Sequence, residues 1–432
     1  MNKIEGSPNQ GMIGATIGFF IGFAAVALFG LTAMKIKDLM NLSPLMLGFL
    51  IAAPLLSGSL LRIPFSAWVD TTGGRKPFLV LLSLSIIGML GLYVVVNLFH
   101  PSNMSPQLYP LLLFLGALCG CGIATFSVGV GQVSYWFPQS SQGKVLGIYA
   151  GVGNLAPGIF SLILPFALKA WDLTGSYLAW LIFLILGTVI YWMFGRNAWY
   201  FQLIQKGMPE DQARKIAQER YGQEILPKGN FIESLKLSAG RWKNWVFVAI
   251  YFVTFGGFIA LTAWLPTYWK SFFSMTTVTS GILTASYSIL TSLTRVVSGS
   301  FSDKFTGEKL LMITLVIMLV GSILMFNSRS VINSVVASLV LAVGMGGANA
   351  AVFKLVPQEI PDAVGGAAGW VGGLGAFGGF IIPPCLGLFV HQQGQRGYSS
   401  GFIIFIILTL ISLVLAYILK QTCIHKKGMS YV

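Results

Sequence analysis

The sequence predicts an all-α membrane protein of twelve transmembrane helices in two six-helix bundles, and three observations predict it. Apolar side chains make up 55% of the 432 residues and charged ones only 9%, with a mean hydropathy of +0.78. That is more apolar surface than a single water-soluble core can hide. Twelve apolar runs are long enough to cross about 30 Å of hydrocarbon. The second half of the chain also repeats motifs of the first, which gives six spans to each half.

Taken in order, the runs fall at residues 11–34, 45–69, 78–99, 108–134, 145–168 and 176–194, then at 244–266, 276–300, 309–327, 331–355, 364–390 and 400–420. The first follows a short polar start without a small-residue cleavage site, so it reads as a retained helix and not a signal peptide. An even number of spans places both termini on one side. Nineteen Lys and Arg residues fall in the loops on that side and six in the opposite loops. The positive-inside rule then puts both termini in the cytoplasm, with the chain in the plasma membrane, the inner membrane of a bacterium. The net charge of +14 follows from this topology, and no soluble domain organises it into a nucleic-acid surface.

Residues 195–243, with nine basic and five acidic side chains, separate an N-terminal bundle (1–194) from a C-terminal one (244–432). Within this linker, "PEDQARKIAQERYG" has helical charge spacing, and Pro209 is positioned to start the helix. Cys119, Cys121, Cys385 and Cys423 are spaced as small buried thiols, neither a disulfide framework nor a metal site. No cofactor is implied. The spans hold no nucleophile–base pair, so the chain does not read as an enzyme.

The repeat is most explicit between "LLRIPFSAWVDTTGGRK" (60–76) and "LTRVVSGSFSDKFTGEK" (293–309), which superpose Arg62 on Arg295, Asp70 on Asp303 and Gly74 on Gly307. "GCGIATF" (120–126) likewise matches "GMGGANA" (344–350), and "VGNL" (152–155) matches "VGGL" (371–374). Each arginine precedes by eight residues an aspartate that opens a polar loop, which is about 12 Å of helix and places both guanidinium groups near the bilayer centre. The thirteen acids and three histidines map to termini or loops. Two midplane cations on repeat-related helices mark a functional site that awaits an anion. A guanidinium is a planar fork that suits a small planar oxyanion. Asn154 in the fifth span offers an amide to it and Tyr251 in the seventh a hydroxyl.

Glycine is the other compositional signal. "GGAAGWVGGLGAFGGFIIPP" (365–384) carries Gly369, Gly372, Gly373 and Gly375, and "GIYAGVGNLAPG" (147–158) carries Gly151 and Gly153. In lipid, glycine lets helices approach closely, and these two helices are read as ones that slide and bend.

Parallel six-helix repeats resemble the internal symmetry of the major facilitator superfamily, in which substrate binds near the midplane. "DTTGGRK", and more loosely "DKFTGEK", are similar to its cytoplasmic loop pattern, here Asp70, Gly74, Arg75 and Asp303. Within that superfamily the chain resembles the nitrate/nitrite porters. The resemblance is carried by "GSLLRIPFS", "FSVGVGQVSYWFP", "GNL", "TFGGFIA", "ANAAVFKLVP" and "AGWVGGLGAFGGFIIP". It implies that Arg62 and Arg295 clamp nitrate or nitrite, that Asn154 and Tyr251 are polar ligands, and that Phe29, Phe126 and Phe255 are aromatic walls. One departure is that Ala156 and Pro157 follow "GNL", where the family's first signature continues with glycine.

Alternating access by a functional monomer in the bilayer is the expected mode. Nitrate/nitrite exchange is favoured because the spans lack the acids and histidines of a proton relay. Proton-coupled symport is the alternative within that substrate class. An organic-phosphate or other small-anion antiporter is a further one, although the second phosphate charge calls for a pocket histidine or lysine and neither is found. Outside transport, the chain would be an anion sensor that signals through residues 195–243.

Overall fold

A computed structural model describes residues 4–227, 231–301, 306–360 and 363–429, so Asp303 lies outside the described residues. No strand occurs among the described residues. The helices are α1 (Pro8–Met40), α2 (Pro44–Thr72), α3 (Arg75–Phe99), α4 (Pro106–Ser134) and α5 (Lys144–Phe194). Three short helices follow: α6 (Trp199–Gln205), α7 (Glu210–Glu219) and α8 (Phe231–Ala239). Then come α9 (Trp242–Phe272), α10 (Thr277–Phe301), α11 (Gly307–Asn327), α12 (Val331–Glu359), α13 (Val364–Ser400) and α14 (Ile403–Thr422).

Ten of these are long and apolar enough to cross a membrane. The 51-residue α5 is broken at Asp172 (φ 53°, ψ −167°), so its two arms are the predicted fifth and sixth spans. The remaining span is α10, 25 residues long and rich in Ser and Thr. Its hydroxyls bond back into their own helix, Thr284 to Ser280 O (2.8 Å), Thr291 to Tyr287 O (2.8 Å) and Ser292 to Ser288 O (2.9 Å). That satisfies polar groups a bilayer cannot. With the two arms of α5 and with α10, the twelve predicted spans are accounted for.

Helices overrun the apolar runs, because backbone hydrogen bonding continues into the polar interface. Asp70, expected to open a loop, instead sits in the last turn of α2, which ends where Gly73 adopts φ 76°. Pro64 has no N–H to give Leu60, and Pro157 none to give Gly153. The helix is interrupted just before each, at Leu61 in α2 and at Leu155 in α5. The glycine-rich eleventh span is likewise not one uniform helix: Val371–Gly375 in α13 form a π turn, as do Phe252–Gly256 in α9.

Two compact units emerge from the packing. Unit 1 comprises Met1–Val26, Ala53–Pro157 and Ala167–Glu233; unit 2 comprises Ala27–Ala52, Gly158–Phe166 and Ser234–Val432. Unit 2 thus takes two stretches from the first sequence half. Inside it, Gly30 lies so close to α9 that a Cβ would stand 3.0 Å from Ala263 O. Gly48 similarly faces the backbone of Pro383 and Pro384, and Gly281 faces Ser161 and Pro165.

The linker is helical, as its charge spacing predicts. α7 begins directly after Pro209, and Arg214 Nη2 donates to Glu210 Oε1 one turn earlier (2.8 Å) and to Pro227 O (2.9 Å). The Arg214 guanidinium beside Glu210 holds its carboxyl below the usual carboxylate range. In unit 2, α8 is tied to the start of α13: Gly366 N donates to Ser234 Oγ (2.9 Å) and Trp370 Nε1 to Leu235 O (3.0 Å).

Candidate functional site

Arg62 is fully buried and begins the second segment of α2, where the Pro64 break reorients the chain. Its Nε donates to Gly58 O (3.0 Å), and its guanidinium carbon stands 4.9 Å from the centroid of Phe126. That ring packs against Phe19 (5.3 Å) and stacks on Tyr149 (6.3 Å). Tyr149 Oη donates to Thr125 O (3.1 Å) and Phe126 O (3.0 Å), which fixes the ring to the backbone of α4. Asn154, also in unit 1, is buried at the end of its helical segment. Gly151 and Gly153 are buried beside it, and a Cβ on Gly153 would fall inside the Phe19 ring.

In unit 2, Arg295 is only 9% exposed and lies over two rings, Phe255 (5.5 Å) and Phe353 (5.8 Å). Tyr251, fully buried, stacks on Phe255 (4.8 Å, 4°) and meets Phe353 edge-on (5.0 Å, 69°). A cation over such faces is attracted by the ring quadrupole without being neutralised, so it can still receive an anion. The π turn of α9 lies directly after Tyr251 and contains Phe255. It packs on the glycines of α13: Gly256 faces Gly378 and Gly375 O, and Gly375 faces the Tyr251 ring, with no room for a side chain. Gly369, Gly372 and Gly373 are buried on the same segment.

The expected residues therefore assemble as two groups, Arg62 with Phe126 in unit 1 and Arg295 with Phe255 and Tyr251 in unit 2. Phe29 is fully buried in unit 2, next to Gly30 at the contact with α9. The loop motif is built as well. Asp70 accepts from Tyr135 Oη (2.6 Å), Gly74 abuts the Gln132 side chain, and Arg75 N donates to Asn197 Oδ1 (2.9 Å).

Phe353 was not expected, although its signal is present in the sequence. Gly346, Asn349 and Phe353 are spaced three and four apart, so they share one face of α12. Gly346 on that face packs against Thr291 O and approaches Arg295 N. Asn349 Oδ1, and Thr254 Oγ1 in the π turn, are buried without a hydrogen-bond partner among the described residues. Buried polar atoms of this kind mark where a ligand or water supplies the missing bond. Lys354 lies within α12, inside the span predicted at 331–355, so that span does hold a lysine. It directly follows Phe353, and successive helical residues do not share a face.

Among the described residues no group of His, Cys, Asp and Glu is placed to hold a metal ion. The carboxylates of the long helices stand at their ends or breaks, as with Asp38, Asp70, Asp172, Glu308 and Glu359.

Comparison with known proteins agrees with this architecture. The sequence profile of the Major Facilitator Superfamily matches residues 14–383 and 269–424. The chain is similar to the probable nitrate/nitrite antiporter NarK1 of Thermus thermophilus, at 30% identity over 96% of this chain and 93% of that one. It is similar to the probable nitrate transporter NarT of Staphylococcus epidermidis (26%; 92% and 94%) and to the nitrite extrusion protein of Bacillus subtilis (26%; 93% and 91%). In structure it resembles the xylose transporter XylE from E. coli in a partially occluded inward-open conformation, with a TM-score of 0.73 at 16% identity over 95% of this chain and 99% of that one. The chain belongs to the Major Facilitator Superfamily and, within it, to the nitrate/nitrite porters. It is an integral membrane transporter and not an enzyme.

Proposed function

We propose that the chain carries nitrate and nitrite across the bacterial inner membrane by exchange, with Arg62 and Arg295 both contacting the anion in the loaded carrier. The observation that carries this reading is the pair of buried arginines at matching positions of the repeat, each lying against an aromatic face. The relatives named for nitrate and nitrite support the substrate. Asn154 and Tyr251 add polar contacts, Phe126, Phe255 and Phe29 line the path, and the glycines of α5 and α13 let those helices move. The termini face the cytoplasm, residues 1–194 and 244–432 act as the two rocking bundles, and the monomer is the working unit.

Exchange follows from charge. Like charges drawn toward one anion repel, by about 2 kcal/mol for any two unit charges at about 8 Å and an effective dielectric of 20, and closing around an empty site also strips them of water. An anion relieves both costs, so the loaded carrier crosses and the empty one stalls. A barrier higher by about 2–3 kcal/mol slows the empty return about thirty- to a hundred-and-sixtyfold. Proteoliposomes preloaded with nitrite are expected to take up labelled nitrate faster than unloaded ones by that factor, with little effect of an imposed pH gradient. Rapid uptake into empty vesicles driven by an inward proton gradient would replace exchange with symport. Absence of nitrate flux in every arm would point instead to a sensor.

A further inference from the structure

A cleft of about 510 Å³ opens on unit 1 between the first turns of α3 and the end of α5, and Arg62 does not line it. Its polar end carries Arg75 and Lys76, the first two residues of α3, together with the amides of Asn197 and Gln205. Among the described residues no carboxylate lines it. Arg75 Nη2 donates to Trp192 O (2.7 Å), which holds the guanidinium across the cleft, while Lys76 Nζ lies over the Trp68 ring (5.8 Å). The helix N-terminus adds its partial positive charge to these two cations.

The other end of the cleft is apolar and continues along the helix. Leu79, Val80 and Leu84 line it around the small Ser83, and Ile87 (54% exposed), Leu90 (47%) and Val94 (42%) extend the face of Val80 and Ser83 along α3 at three- and four-residue spacing. Trp192, 58% exposed, flanks the cleft on α5. An exposed tryptophan, two cations and a helix N-terminus above an exposed apolar stripe describe the interface between headgroup and acyl chain. We propose that this cleft is a binding site for one anionic glycerophospholipid, with the phosphodiester against Arg75 and Lys76 and an acyl chain along the outer face of α3. The occupant is a lipid and not a soluble phosphate because half of the site is an apolar stripe that a free phosphate leaves bare. Its neutral competitors lack the net charge that the two cations select. By tying α3 to the end of α5, the lipid would stabilise unit 1.

The full-length protein in neutral detergent provides the test, with dioleoyl phosphatidylglycerol, dioleoyl phosphatidylcholine and free glycerol phosphate added in parallel. Bound lipid is read by native mass spectrometry and stability by thermal unfolding. Each basic side chain at such a surface contributes on the order of fivefold in affinity, so phosphatidylglycerol is expected to be retained about tenfold or more over phosphatidylcholine. Lys76→Gln should lower that preference about fivefold. Ser83→Phe, which fills the cleft without changing a charge, should abolish both retention and the thermal shift. Equal retention of the two lipids, an unchanged preference in both variants, or equal binding of glycerol phosphate would each overturn the proposal.

Discussion

The two buried arginines occupy matching positions of the repeat, yet they are held differently. Arg62 is tied through Nε to the carbonyl of Gly58 in its own helix, and its ring partner Phe126 is braced by Tyr149, whose hydroxyl bonds two backbone carbonyls of α4. Arg295 lies against rings carried by two other helices, Phe255 from the π turn of α9 and Phe353 from α12. A π turn has a locally widened hydrogen-bond register, and such turns recur at functional sites. The same cation, written twice, is thus expected to have the more fixed seat in unit 1 and the more adaptable one in unit 2. Of the two glycine-bearing helices, α13, with α9 packed on it, is expected to bear more of the movement around the anion than α5.

The largest effect should come from changing the cation itself. Arg62→Lys or Arg295→Lys keeps the charge and loses the two-point planar fork. Either should lower the initial rate of nitrate uptake by at least about a hundredfold, about 2.7 kcal/mol, in protein that still elutes as the unsubstituted protein does. The comparison predicts a difference in stability as well. Arg62→Lys also gives up the bond from Nε to Gly58, so it should unfold at a lower temperature than the unsubstituted protein. Near-normal uptake by either variant would remove that arginine from the anion site.

Next in size is the packing that lets α9 and α13 meet. A Cβ on Gly378 would run into Phe252 O, a backbone atom with nowhere to go, whereas a Cβ on Gly153 would meet the side chain of Phe19. Overpacking of this kind costs about 1–3 kcal/mol. Gly378→Ala is expected at the upper end because a backbone atom must move, and Gly153→Ala somewhat below it because the buried Phe19 ring must shift, read as thermal unfolding in detergent together with uptake. If Gly153→Ala proved the more damaging, the moving parts would have to be placed in unit 1.

Much of this was legible in the sequence, because it rests on periodicity and on cost. Arg62 and Arg295 announce themselves as cations in apolar runs, and the repeat identifies them as partners before any coordinate is seen. Phe126 and Phe255 followed from family resemblance. Three features were hidden for physical reasons. The π turns at Phe252–Gly256 and Val371–Gly375 shift hydrogen-bond register without changing hydropathy. The attachment of residues 27–52 and 158–166 to unit 2 depends on which helices are neighbours, and apolar patterning does not encode that. Phe353 hid among 32 phenylalanines, although the face it shares with Gly346 and Asn349 could have singled it out.

The smallest predicted effect separates the two units most cleanly, because it uses one atom from each. Tyr149 and Tyr251 are both fully buried, each in a ring stack with the phenylalanine that carries an arginine. The hydroxyl of Tyr149 is committed to Thr125 O and Phe126 O, so Tyr149→Phe should cost about 0.5–1.5 kcal/mol of stability and leave nitrate affinity nearly unchanged. Tyr251 sits beside the π turn and between the two rings under Arg295, where its hydroxyl is proposed to touch the anion. Tyr251→Phe should therefore weaken nitrate binding by about 0.5–1.5 kcal/mol, roughly two- to tenfold. Nitrate titrations by calorimetry, with thermal unfolding on the same samples, read both quantities. A loss of affinity in Tyr149→Phe equal to that in Tyr251→Phe would mean that the seat of Arg62 is as adaptable as that of Arg295, and the division between fixed and moving units would fail.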